Sequence, residues 1–297
     1  MKPLPNSQLI AICAGAVLLL VTSATAQNLF AASDTNILEI TPSGIQSTFA
    51  SGVNYFGSLA FNGAGDLFAG GDGNIYEFAP GGMESNFATG VGVAGGLAFN
   101  SAGDLFMSNG DAGYIAEFTP AGVESFFASF GLDGAAGLVF NSAGNLFVAV
   151  AAVGDIYEYS PAGLQSTFAS GLDGPVSLAF NSAGNLFAAD NLSGDIYEFT
   201  PGGVKSIFAS GLDHPSALTF NSAGNLFVMT EGSIIEFTPG GTQTTFVSGL
   251  ALYGLGPGSY GVLAFQPTPE PSSLWLVLLG GGVWFGLRTR NKTIANP

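Results

Sequence analysis

Cysteine is almost missing from this chain. The single copy, Cys13, lies in an apolar N-terminal stretch, so the body has no thiol for a disulfide, a zinc ligand or a nucleophile. Positive charge is nearly as scarce, with 5 Lys and Arg against 21 Asp and Glu. Lys2 stands at the start and Arg288, Arg290 and Lys292 at the end. Between Gln27 and Gln266 the only base is Lys205, while every acid except Glu270 falls there, which leaves the body near −19. Such a polyanion repels nucleic acid and anionic lipid, and it stays in solution. The charge has two readings, a solubilising surface and a surface that binds cations. His214 is the only histidine, too few for a zinc site built from several imidazoles. Both tryptophans, Trp275 and Trp284, fall in the last thirty or so residues. A Gly-rich phosphate loop, a nucleophile elbow and a Ser-His-Asp set in a plausible context are also absent.

The two ends differ from the body. Residues 1–26 have the order of a secretory signal: Lys2, an apolar run of 13 residues from Leu9 to Val21, then Ala24-Thr25-Ala26 as a small-x-small cleavage site. Gln27 is then the first mature residue, and the alternative is an uncleaved anchor. Ile12 is too large for a lipoprotein cleavage site ahead of Cys13. Residues 267–297 run from a Pro-rich spacer through the uncharged stretch Leu274–Leu287 to Arg288-Thr289-Arg290. Prolines end strand pairing, and an apolar run closed by bases is expected as a membrane-inserted helix with its bases inside. Pro269-Glu270-Pro271, the apolar run, Arg288 and Arg290 together resemble the PEP-CTERM sorting signal of polysaccharide-producing bacteria. The resemblance implies recognition by an exosortase-type membrane protease and display or release outside the cell. A plain C-terminal anchor is the alternative, although the run is short for a span of about 20 residues.

Between the ends lies a repeat. Asn-Ser-Ala-Gly-Asn-Leu-Phe occurs unchanged from Asn141, Asn181 and Asn221, with close copies from Asn62 and Asn100. A period near 40 is the mark of a repeat architecture. Within the unit 177–210 four short apolar runs are separated by turn signals, as in a small antiparallel sheet. Asn181 with Gly184 closes the first turn and Pro201 with the following glycines closes the last. The proline turn, one Glu in the third run (Glu39 to Glu236) and one Phe in the fourth (Phe49 to Phe246) each occur 6 times. The chain enters mid-unit at Asn28-Leu29-Phe30, and the missing first run appears last, as Gly261-Val262-Leu263-Ala264-Phe265. That offset predicts an all-β, six-bladed propeller over 27–266 whose first blade is sewn from both ends. An open solenoid is the competing architecture.

The runs Leu-Ala-Phe, Ala-Gly-Asn-Leu-Phe and Gly-Asp-Ile-Tyr-Glu-Phe within Ser177–Phe199 resemble the NHL repeat and its gluconolactonase-like and streptogramin-lyase-like relatives. The resemblance covers about 28–266. It implies a ligand site at one mouth of the axis, where the loops between strands two and three meet those from strand four to the next blade. The first loop type offers Asp72, Asp111, Asp190, Asn191 and Glu231, and the second offers Asp133, Asp173, Asp213 and His214. Tyr253 and Tyr260 lie in the insertion 251–261. Carboxylates with Asn and carbonyl oxygens suit calcium, and the gluconolactonase-like enzymes hold a divalent ion in such a set. Asp72, Asp111, Asp190, Asp213 and Glu231 are therefore the metal candidates. Against this, Asp133, Asp173 and Asp213 recur in one Gly-Leu-Asp turn, as turn-formers do. His214 replaces the glycine of the sister turn, and a lone histidine departs from the streptogramin-lyase pattern. No catalytic residue is assigned. The expected function is an exported surface or matrix binding module, its partners being extracellular polysaccharide or surface proteins. The alternatives are a calcium-dependent gluconolactonase-like hydrolase or lyase and a carbohydrate-binding module.

Overall fold

The computed structural model describes residues 27–32, 35–52, 57–110, 112–129, 134–250 and 262–268. The leader with Ala24 and Ala26 lies outside them. So do Asp111, Asp133, the insertion with Tyr253 and Tyr260, and the sorting residues Pro269, Glu270, Pro271, Arg288 and Arg290. Among the described residues no helix is long and apolar enough to cross a membrane.

The described chain forms six antiparallel sheets of four strands each. Blade 5 is the type unit, with strands Pro175–Phe180, Leu186–Asp190, Asp195–Phe199 and Lys205–Ala209. Its first strand begins two residues before the apolar run Ser177–Phe180, because Pro175 already pairs with Asp190. Local chemistry sets each turn. Asn181 Oδ1 accepts the N–H groups of Ala183 and Asn185 at 3.0 and 2.9 Å, and Gly184 takes φ 81°. At the proline turn the left-handed residue is the second glycine, Gly203 (φ 80°), so Ser43, Ala121 and Ala162 can replace the first. A register shift at the isoleucine of strand three bulges the outer pair of every blade, which adds the twist a propeller blade needs.

The innermost strands of the six sheets touch in cyclic order, and Val262–Phe265 lies between those of blades 6 and 2. That strand also pairs with Leu29–Ala32 in the register Val262↔Ala32 to Phe265↔Leu29. The split first blade is thus observed, and the ring closes. Gln27 adds to the joint: its Nε2 donates to Gln266 O at 2.8 Å and its Oε1 accepts Ser222 N–H at 2.7 Å.

Burial grades from axis to rim. Second strands are wholly buried in blades 2 to 6, whereas fourth strands begin exposed. Between blades, one phenylalanine from strand two meets one from strand four and one from strand one of the next blade. At the seam of blades 4 and 5 these are Phe147, Phe168 and Phe180, with T-shaped contacts of 5.1 Å. Equivalent trios occupy the other seams with centroids 4.9–5.1 Å apart. Edge-to-face pairs contribute about 0.5–1.5 kcal/mol each beyond area burial. Aromatic seams and strand closure thus hold the ring without a disulfide.

Candidate functional site

The axis is narrow, its wall built from leucines together with glycine backbone and the serines Ser58 and Ser177. One leucine per blade lines it (Leu59, Leu97, Leu138, Leu178, Leu218 and Leu263) around a channel of about 90 Å³. Gly137 shows how tightly the wall is drawn, since a Cβ there would lie 2.9 Å from Ser177 Cα. Chemistry at the axis is therefore confined to its mouths.

At the mouth formed by the loops between strands two and three, three predicted residues converge. Asp213 and His214 sit just before the first strand of blade 6, and Glu231 in its Glu-Gly hairpin. The two loops are joined by Glu231 N–H donating to Asp213 O at 3.1 Å. His214 Nδ1 lies 2.9 Å from Asp213 Oδ1 and 3.9 Å from Glu231 Oε2. His214 has φ 46°, at a position where the sister Gly134 has φ 91°. Holding a side chain there costs about 1 kcal/mol. Among the described residues this is the only trio of His, Cys, Asp or Glu with ligand atoms all within 4.8 Å.

The other metal candidates lie elsewhere. Asp190 is fully buried, and both its oxygens are taken by backbone. Oδ2 accepts Asp173 N–H at 2.7 Å, and Oδ1 accepts Gly174 and Ser193 N–H at 2.8 and 3.3 Å. It ties the loop entering blade 5 to the hairpin leaving its second strand. Asn109 makes the matching tie in blade 3, to Val91 O and Ala112 N–H. Asp72 (φ 50°) and Gly73 (φ 74°) form the two-residue turn of blade 2, which Asp-Gly favours. Calcium takes about six to eight oxygens. Two exposed carboxylates and an imidazole are a poor match, and suit a zinc-class ion better.

The opposite face carries a second kind of site, unassigned in the sequence. Where the turns after strands one and three of neighbouring blades meet, the seam opens into a groove. The one between blades 4 and 5 has a volume of about 510 Å³, and the one between blades 3 and 4 about 440 Å³. Their walls correspond position by position. Asn141, Ser142, Phe147, Glu158, Phe168, Phe180 and Pro201 in the first match Asn100, Ser101, Phe106, Glu117, Phe127, Phe140 and Pro161 in the second. In the first groove Glu158 Oε1 accepts the amide of Asn145 at 2.7 Å. In the second, Asp104 stands where Asn145 would be and takes the Asn100 amide at 3.1 Å. Glu117 has a raised pKa there, first from burial and then from the charge of Asp104. The sequence did hold a signal for these grooves: Asn145–Glu158 and Asn185–Glu198 share one spacing, and Asp104–Glu117 keeps that spacing with an aspartate in place of the asparagine.

No protein family and no curated protein matches the chain by sequence. Solved structures match its shape. The nidogen/laminin complex contains a chain with TM-score 0.71 at 16% identity, covering 81% of this chain and 98% of that one. A gluconolactonase from Xanthomonas campestris matches with TM-score 0.63 at 15% identity, covering 76% and 86%. A catalytically inactive virginiamycin B lyase from Staphylococcus aureus with quinupristin matches with TM-score 0.60 at 14% identity, covering 78% and 87%. The described residues thus form an all-β, six-bladed propeller, and its fold is similar to those of gluconolactonase and streptogramin-lyase structures. At these identities the likeness concerns fold alone.

Proposed function

We propose that the protein is an exported interaction module. Residues 1–26 direct export, 267–297 are processed by an exosortase-type membrane protease or anchor the chain, and the propeller binds components of the cell surface or polysaccharide matrix. The carrying observation is the pair of equivalent, polar-rimmed, aromatic-walled grooves on adjacent seams. A repeated groove suits a repeated ligand and gains from avidity, whereas an enzyme concentrates its chemistry at one point. The test is to produce the full chain in an exosortase-bearing, polysaccharide-forming bacterium and fractionate the culture. The expected result is a chain beginning at Gln27, retained in the surface or matrix fraction, with Glu270→Ala blocking tail processing. Uniform recovery in the free medium and in the cytoplasm would sink the proposal.

The Asp213–His214–Glu231 trio favours a second reading, a metal-assisted hydrolase or lyase at the opposite mouth. It predicts lactone hydrolysis that is lost in His214→Gly and on chelation. Asp190→Ala is no test of it, because that carboxylate holds two loops together.

A further inference from the structure

The seam grooves carry a more specific assignment, which rests on the interaction-module reading. Each wall combines three features. An aromatic floor is formed by half-buried Phe168 and Phe180 in the groove between blades 4 and 5, with Phe147 beneath them. A carboxylate, Glu158, has Oε1 held by Asn145, while Oε2 has no hydrogen-bond partner among the described residues. Asn141 and Asn181 spend Oδ1 on their own turns, and their amide groups have no partner among the described residues. The groove thus offers an apolar surface, an acceptor and donors side by side, in a volume within the range of about 300–1,000 Å³ usual for small-molecule sites.

The charge narrows the ligand. A body near −19 with a carboxylate in each groove disfavours anionic polymers. A purely apolar ligand would leave the carboxylate and two amides desolvated without partners, which disfavours it. An uncharged sugar ring has an apolar C–H face for the phenylalanines and hydroxyls that both donate to a carboxylate and accept from an amide. The recurrence of the groove from seam to seam calls for a ligand that itself recurs.

We propose that the seam grooves are repeated subsites for an uncharged polysaccharide. Sugar hydroxyls donate to the free oxygen of Glu158 and its equivalents and accept from the amides of Asn141, Asn181 and theirs. The seam between blades 4 and 5 is a full subsite. The seam between blades 3 and 4 is a weaker one, because Asp104 has taken up the Asn100 amide.

The experiment uses the full chain in mild detergent on immobilised neutral glucan, mannan and galactan, with the matching free oligosaccharides as competitors. Two variants keep the fold's own hydrogen bonds. Glu158→Gln retains the acceptor for Asn145, and Asn181→Asp retains the acceptor for Ala183 and Asn185. The expected result is retention on at least one neutral polysaccharide, release by its oligosaccharide, and about tenfold weaker binding in each variant with an unchanged melting temperature. In the reverse direction, Asp104→Asn should strengthen binding. No retention on any of the three polymers, or retention untouched by both variants, overturns the proposal. Binding to a matrix fraction that survives periodate oxidation of its sugars also overturns it, yet leaves the interaction-module reading standing. Absence of binding to any surface fraction defeats both.

Discussion

Blades 2 and 3 differ from blades 4, 5 and 6 in the residue that closes the first turn, an aspartate in place of an asparagine. Asn145, Asn185 and Asn225 each donate to the strand-three glutamate of their blade, Glu158, Glu198 and Glu236, at 2.6–2.7 Å. Blade 1 does the same with Asn28 and Glu39. In blades 2 and 3 the donors are replaced by Asp66 and Asp104. The turn asparagines Asn62 and Asn100 then redirect their amides to these aspartates, at 2.9 and 3.1 Å. Two blades have thus exchanged a neutral amide bridge for a second carboxylate at the same place in the sheet. Frame and rim are therefore separable: the phenylalanines set the seam, and a single polar residue sets its electrostatics.

The largest effect should test that separation. If the seams share a frame, Phe106→Ala and Phe147→Ala must each cost about 3–5 kcal/mol, and by the same amount within error. Each removes two T-shaped partners, at 4.9–5.0 Å for Phe106 and 5.1 Å for Phe147. Urea unfolding of the two variants measures it. Unequal losses would mean that the Asp104 rim changes the packing below it.

A smaller effect sharpens the contrast within blade 4. Phe78, Phe118, Phe199 and Phe237 fill one position of strand three, and blade 4 alone among these has Tyr159. Its hydroxyl is buried without a partner among the described residues, and burial followed by Tyr157 pushes its pKa up to about 12. The phenol is thus neutral at any ordinary pH, and the orphan hydroxyl is the whole penalty. Tyr159→Phe should stabilise the protein by about 1–3 kcal/mol, seen as a higher urea midpoint with unchanged slope. A loss of stability would show that the hydroxyl has a bound water as partner.

Most of the frame was readable beforehand because the repeat writes it six times. The split blade followed from one observation, that Leu29-Phe30 enters mid-unit while Val262–Phe265 supplies the missing run. Turn asparagines and left-handed glycines followed from local chemistry, which does not depend on the rest of the chain. The site was less legible. Asp190 looked like a ligand because it is an acid at a loop, and only the fold shows three backbone N–H groups closing on it. Asp213, His214 and Glu231 were separately visible, but their meeting depends on two loops separated by a strand pair. The seam grooves were hidden for the opposite reason. Glu158 and its sisters recur in every blade and so read as markers of architecture. A residue common to all blades still forms a binding surface when the surface is itself repeated.

The smallest effect isolates the electrostatics of the rim. Glu117 has its pKa raised above the ordinary 4.5, by burial first and by the Asp104 charge second. A carboxyl that holds its proton more tightly in the folded state makes the fold lose stability as pH rises through the window from 4.5 upward. The penalty is complete once pH exceeds the folded value. Asp104→Asn removes the charge part of that penalty and supplies the amide that Asn145 gives Glu158, against a weakened bond from the Asn100 amide, so in this solvent-screened rim it should stabilise the protein by about 0.2–1 kcal/mol at neutral pH. The gain should shrink on acidification toward 4.5, where Glu117 is increasingly protonated in both chains. Asn145→Asp should impose the same penalty on blade 4 and the same pH slope. Melting temperatures of the three proteins at pH 4.5, 5.5 and 7 measure the effect. A gap that stays constant with pH would mean that Asp104 acts on Glu117 through hydrogen-bond geometry and not through charge.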